Sequence, residues 1–439
     1  MLIKNAIILV SFYVCAAAAA VPFVVTPEFG EGLAPLLSSV NSEPIADSYI
    51  VVFKKGLLSA KLTAHRTWIR ALHDDSILMK DLLDTDISAC IKHIYDTPSV
   101  KGYSGKFTQR VLEKIRASEE VAYVERDSIV YASGMVTQTD APWGLARLSH
   151  REHLTWRTSN KYSFDSRAGE GVTVYVIDTG INIHHVDFEG RAAWGRTIPD
   201  GDVDEDGNGH GSHVAGTIAG KRFGVAKKAK VVAVKVLRSN GSGTMSDVVA
   251  GVEWAIEQHE ESVVLATRKG EKAKPSVANM SLGGGKSRAL DEVVNDAVDS
   301  GIVFAVAAGN DNRNACDYSP AGAEKAITVG ATSIDDERAY FSNHGKCLDV
   351  FAPGMNIESV WIHSRHSTNS LSGTSMASPH VAGLAAYFIS LAPKNVTITP
   401  KVIKNDVIRL ATKNSLEGVP KSTVNRLIYN NIKNGFYEV

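Results

Sequence analysis

Three side chains able to move a proton or attack a carbonyl stand far apart in this chain: Asp178, His210 and Ser375. Ser375 lies in Gly373-Thr374-Ser375-Met376-Ala377, followed by a small and apolar run to Leu391. That pattern puts its hydroxyl at the start of a buried helix, where unpaired backbone N–H groups favour developing negative charge. A hydroxyl attacks a carbonyl only when a base takes its proton. His210, in Asn208-Gly209-His210-Gly211-Ser212-His213, is the candidate base, with glycines leaving space beside its ring. His213, deeper in the following helix, reads as a packed neighbour. Asp178 ends Val176-Ile177-Asp178 and is suited to hold the imidazole in one tautomer and stabilise the imidazolium. Acyl transfer also needs donors for an oxyanion. Asn310, after Ala307-Ala308-Gly309, offers a side-chain amide, and the Ser375 backbone N–H offers a second donor. Taken singly, Asp178 reads as a turn cap, Asn310 as a turn residue and His210 as a loop histidine. The chemistry depends on all four converging.

The elements around them say how they could converge. Val172 to Ile177 is a β-branched run, and further runs span Val231 to Leu237, Val277 to Leu282, Ile302 to Ala307 and Ala326 to Val329. Helical stretches lie between, at Gly211 to Ala219, Ser246 to His259 and Ala289 to Ser300. Buried strands alternating with helices predict an α/β fold with a doubly wound, mostly parallel sheet. Ligands of such sheets sit beyond the carboxyl ends of the strands. A smaller α+β unit precedes it. Its expected strands are Tyr49 to Phe53, Val121 to Val124 and Ile129 to Tyr131, with helices over Ser59 to Leu83 and Phe107 to Ser118. A tail from about Ala132 to Asp140 links the two.

With 439 residues, 44% hydrophobic and 22% charged, the chain has material for more than one domain. A formal net charge of -1 gives no hint of nucleic acid or an anionic membrane as partner. Lys4, the apolar run Ala6 to Val14 and the small residues Ala16 to Ala20 read as a signal peptide over 1–20, too short for a membrane anchor. The expected destination is the exterior or a vacuole. Cys15 leaves with the signal and Cys90 falls in the small unit, so Cys316 and Cys347 remain, bridged or as two thiols. Asn240, Asn279 and Asn395 begin glycosylation sequons; Asn279 lies in an apolar stretch and is not expected to be modified. Asp202-Val203-Asp204-Glu205-Asp206-Gly207 opens like a calcium loop, but the closing Glu would fall at position 213, a His. The segment reads as a solvated acidic turn.

The order Asp178, His210, Ser375, together with Gly309-Asn310 and Ala141-Pro142-Trp143-Gly144-Leu145, resembles the subtilisin-like serine endopeptidases, and most of all their proteinase K-like branch. The resemblance covers about Ala141 to the C-terminus and implies a catalytic triad of Asp178, His210 and Ser375 with Asn310 in the oxyanion hole. It implies that Asn240-Gly241 and Ser281-Leu282-Gly283 flank an extended substrate bound as an added strand. Ala307, Ala308 and Gly309 would line a roomy pocket with apolar preference. The segment 45–132 resembles the family's inhibitory propeptide, of ferredoxin-like α+β form. The implied organisation is signal peptide 1–20, propeptide 21–134 and peptidase domain 135–439, with maturation near Ala132 to Val136. A secreted or vacuolar zymogen follows, a monomer that cuts proteins and peptides and is chaperoned and inhibited by its own propeptide. No cofactor is implied for catalysis. Structural calcium is, with Asp349 as ligand beside backbone carbonyls near Glu324 and Ala326. A Cys316–Cys347 bridge matches some relatives. Ser212 replaces the usual Thr, and Val214 stands where the proteinase K type carries a free cysteine, so thiol reagents are expected to act poorly. Two other readings are a non-enzymatic binding protein on the same fold and a metal-dependent hydrolase using Asp202 to Asp206 with His210 and His213.

Overall fold

The computed structural model describes residues 32–38, 43–57, 59–78, 91–129, 134–393 and 396–432. The expected signal peptide, Cys15, Cys90, Asn395 and residues 132–133 of the expected maturation segment lie outside the described residues. The chain forms two compact units, Met1–Val130 and Tyr131–Val439.

The first unit runs strand, strand, helix, strand, strand, helix, strand. Its sheet orders the strands as Leu36–Leu37, Val121–Ile129, Glu43–Phe53, Lys101–Lys106 and Ile91–Asp96. The helix Gln109–Arg116 starts where the Thr108 hydroxyl accepts the Val111 N–H. Val111, Leu112 and Ile115 recur at helical spacing and bury that face against Val51, Tyr103 and Val124. The two short strands expected at Val121 and Ile129 are one strand, Val121–Ile129, because the polar residues between them also pair with Glu43–Phe53. The hairpin Ile91–Asp96/Lys101–Lys106 carries too few apolar residues to announce itself.

The second unit is built on a nine-stranded sheet. In chain order its strands are β1 (Thr173–Asp178), β2 (Ala192–Thr197), β3 (Lys230–Lys235), β4 (Ser276–Met280), β5 (Ile302–Ala307), β6 (Ile327–Thr332), β7 (Val350–Pro353), β8 (Thr412–Lys413) and β9 (Arg426–Leu427). In space they run β8-β9-β7-β6-β5-β4-β1-β3-β2, all parallel except the β8–β9 pair. The main helices are α1 (His210–Ala219), α2 (Met245–Arg268), α3 (Arg288–Ser300), α4 (Thr374–Leu391) and α5 (Pro400–Leu410). Alternation along β1 divides the core. Val174 and Val176 join α1 and α4 on one face, while Tyr175 and Ile177 join α2 and α3 on the other. This is why β1 is apolar at each position from Val174 to Ile177.

Parallel strands bring their carboxyl ends to one rim. Asp178 ends β1, Ser281 follows β4, and Asn310 follows β5. His210 and Ser375 sit at the first turns of α1 and α4. The α1 helix can start where it does because Gly209 takes a left-handed φ of 100°. Gly211 lets the helix press on the β1 exit: a Cβ there would meet the Gly180 carbonyl oxygen at 2.1 Å. The α2 helix outruns the expected His259 end by a turn and more, since Glu260 to Arg268 favours helix after its apolar stripe has faded. Cys316 and Cys347 form a disulfide, with Cα atoms 5.3 Å apart.

Candidate active site

Asp178 is fully buried, and its Oδ1 accepts the His210 Nδ1–H at 2.8 Å and the Thr179 N–H at 2.8 Å. Nδ1 therefore carries the proton and Nε2 is left as the base atom. A quarter of the His210 side chain remains exposed. Burial works to lower the His210 pKa, but the charge and hydrogen bond of Asp178 outweigh it, Asp206 adds to them, and the pKa lies above the ordinary value. His213 is different. It is fully buried, its Nε2 bonds to the Ile357 carbonyl at 2.8 Å, and burial drives its pKa down to about 4. It is a neutral core histidine.

Ser375 exchanges hydrogen bonds with Ser281. The Ser375 hydroxyl donates to the Ser281 carbonyl at 3.0 Å, and the Ser281 hydroxyl donates to the Ser375 carbonyl at 2.7 Å. Pro379 explains the second bond. It stands four residues after Ser375 inside α4 and has no N–H to give that carbonyl, so Ser281 satisfies it. Behind them, buried Asn279 donates from Nδ2 to Ser281 Oγ at 2.9 Å and accepts from Ser378 Oγ at 2.8 Å. This tie locks the β4 exit to the start of α4, and it leaves Asn279 no room for a glycan.

Asn310 is held by its oxygen. Oδ1 accepts the Thr374 N–H at 2.8 Å and the Thr374 hydroxyl at 2.9 Å, and the Thr374 hydroxyl in turn accepts the Gly309 N–H at 3.1 Å. With Oδ1 engaged, Nδ2 faces outward. A Cβ on Gly373 would lie 3.5 Å from Asn310 Nδ2 and 3.6 Å from the Ser375 nitrogen. These two nitrogens thus border the space beside Ser375 that residue 373, having no side chain, leaves open.

The acidic turn is solvated only in part: Asp204 and Glu205 are exposed, but Asp202 and Asp206 turn inward. Asp206 is buried and accepts five hydrogen bonds: the Thr179 hydroxyl, the Asn208 and Gly209 N–H groups, and the Ser212 N–H and hydroxyl. It caps the N-terminus of α1, next to His210, with an anion. Ser212 passes the connection on by accepting the Asn182 N–H at 2.7 Å. Asp202 lies 3.7 Å from the ammonium of Lys235, which is itself buried and donates to the Thr179 carbonyl at 2.9 Å. Asp202 and Asp206 therefore face inward while Asp204 between them is exposed, a division that the sequence alone does not show.

A cleft of about 450 Å³ runs past His210. Gly241, Ser281, Leu282 and Gly283 line it, joined by Leu237, Met245, Val248 and Leu290, which sequence reasoning missed because they read as core: Leu237 follows β3, Met245 and Val248 begin α2, and Leu290 lies in the first turn of α3. Asn240, Ala307, Ala308 and Gly309 are not among its lining residues. The exposed Asn240 shapes the rim instead, its Oδ1 accepting the Ser242 N–H at 2.9 Å and hydroxyl at 2.8 Å. Ala307 and Ala308 are buried at the β5 end, and Gly309 is half-buried there.

The expectation of calcium at Asp349 meets a correction. Its Oδ2 pairs with the Lys404 ammonium at 3.0 Å, and the same ammonium donates to the Glu324 carbonyl at 3.0 Å and the Ala326 carbonyl at 2.6 Å. The three oxygens expected around a calcium ion face a lysine, so the donor set does not fit the metal.

Comparison with protein families matches residues 169–426 to the subtilase family, more than half of the chain. The chain belongs to the subtilase family. Residues 48–133 of this subtilase match peptidase inhibitor I9, so its first unit is an inhibitor-type propeptide domain. A subtilisin-like protease of Coccidioides posadasii is 58% identical over 413 residues, covering 90% of this chain and 83% of the relative. Subtilisin-like protease 8 of Trichophyton verrucosum is 55% identical over 414 residues, covering 91% and 84%. The crystal structure of a cold-adapted subtilisin-like serine proteinase aligns with a TM-score of 0.59 at 43% identity, covering 66% of this chain and 98% of that one. The subtilase is thus a serine protease, a hydrolase, of α/β fold with a large, mostly parallel sheet. Among its described residues no helix is long and apolar enough to cross a membrane.

Proposed function

We propose that this subtilase is the zymogen of a serine endopeptidase that enters the secretory pathway, is matured near residues 132–136, and acts through Asp178, His210 and Ser375. The carrying observation is the 2.8 Å bond from His210 Nδ1 to Asp178 Oδ1, in a cleft whose wall includes the Ser281 that holds Ser375. The reaction requires the Ser375 hydroxyl to leave the Ser281 carbonyl and turn to His210 Nε2. Nε2 removes the proton, Oγ attacks the peptide carbonyl, and Asp178 steadies the imidazolium. The oxyanion accepts hydrogen bonds from Asn310 Nδ2 and the Ser375 N–H. His210 then hands its proton to the leaving amine, and water repeats the sequence to release the acyl group. Leu237, Met245, Val248 and Leu290 along the cleft support broad specificity with apolar preference. Asp206 is a positioning residue that fixes the segment bearing His210.

Replacing Ser375 by Ala is expected to abolish proteolysis, leave the precursor uncut and remove labelling by a fluorophosphonate probe. Full activity in that variant would refute the assignment. N-terminal sequencing of the wild-type product tests the signal and propeptide boundaries.

A further inference from the structure

Lys404, on α5, reaches across to the turn before β6 and the residue before β7. An ammonium has three N–H donors, and here three acceptors meet it: Asp349 Oδ2, the Glu324 carbonyl and the Ala326 carbonyl, at 3.0, 3.0 and 2.6 Å. Asp349 also accepts the Thr328 N–H at 3.0 Å, so the carboxylate is fixed from both sides. Only a fifth of each charged side chain is exposed. Burial pushes the Asp349 pKa above its ordinary value, and the neighbouring Lys404 charge opposes that rise. A carboxylate with converging backbone carbonyls is a donor set for a hard divalent cation. Calcium needs six to eight oxygens at about 2.3–2.6 Å. It cannot share this cradle with an ammonium already bonded to these three oxygens.

We infer that Lys404 is a resident cation: its ammonium takes the structural place of a divalent ion at Asp349, and the fold around β6, β7 and α5 needs no calcium there. The charge is delivered by the chain itself, so it is present in any medium.

The test uses the full chain carrying Ser375→Ala, which prevents self-digestion, and reads thermal unfolding rather than activity, so its outcome is independent of the catalytic assignment. Wild-type sequence at 404 is expected to melt at the same temperature in excess EGTA and in millimolar calcium. Lys404→Ala is expected to melt several degrees lower in EGTA and to recover with calcium, and calorimetry should show it binding an additional calcium ion. Adding Asp349→Asn should erase that binding. Lys404→Met, which keeps the aliphatic stem, is measured in parallel. If both variants fold only with calcium, the inference stands. It is overturned if position 404 as Lys loses as many degrees in EGTA as Lys404→Ala does. It is equally overturned if both variants are destabilised, or fail to fold, alike with and without calcium.

Discussion

Asp206 shows how much of the setting of His210, the proposed base, can reside in a neighbouring carboxylate. Its carboxylate collects five donors, three of them backbone N–H groups at the start of α1, and its charge adds to that of Asp178 in raising the His210 pKa. A base must be neutral to act, so kcat/KM should rise with pH as His210 loses its proton. The midpoint is expected above the ordinary histidine value of about 6.5. Asp206→Asn removes the charge and leaves the Ser212 donors facing an amide. The expected result is a fall in kcat/KM of up to about 100-fold and a midpoint moved to lower pH. A fall with an unmoved midpoint would assign Asp206 a purely structural role. The same raised pKa bears on stability: the Asp178–His210 pair contributes fully below the unfolded histidine pKa, and that contribution is lost as pH rises through the folded one.

At the scale of elements, the site depends on how closely α1 approaches the end of β1. The contact is backbone to backbone, with no side chain able to yield. Gly211→Ala would drive a methyl group into the Gly180 carbonyl, separated from it by only 2.1 Å. The helix must then move away from Asp178, stretching the bond to His210. About 1–3 kcal/mol of overpacking is expected in denaturant unfolding, together with near-complete loss of kcat. A variant of normal activity would show that α1 tolerates displacement. Pro379 acts at the same scale in the opposite sense. It frees the Ser375 carbonyl from the α4 ladder and makes the β4 exit, through Ser281, its partner.

For the whole molecule, the peptidase unit is held by two large cores on opposite faces of one sheet, with a smaller cluster around Leu348 and Phe351 beside them. The Cys316–Cys347 disulfide spans a sequence separation of 31 residues that includes β6. On the loop-entropy account it stabilises by about 3–4 kcal/mol. Cys347→Ser should lower the denaturant midpoint by an amount equivalent to that energy, with little change in kcat, because neither cysteine lines the cleft. An unchanged midpoint would mean that the loop is already ordered in the unfolded ensemble.

Much of this was legible before any coordinates. Apolar runs gave β1, β3, β4 and β5 to within a residue or two, since a strand buried on both faces is mostly apolar, with polar exceptions such as Asp178, Lys235 and Asn279 that find partners inside. Glycine-rich settings marked His210 and Ser375, because a reactive side chain at a tight helix start needs room. Edge strands such as Ala192–Thr197 stayed hidden, their exposed sides free to be polar. What sequence could not decide were contacts between residues far apart in the chain. Asp206 looked like one more surface acid until five donors closed on it. Asp349 looked like a calcium ligand until α5 brought a lysine from 55 positions further on, 3.0 Å away. Local pattern fixes what a residue can do; which charge stands opposite it is settled only when the helices pack on the sheet.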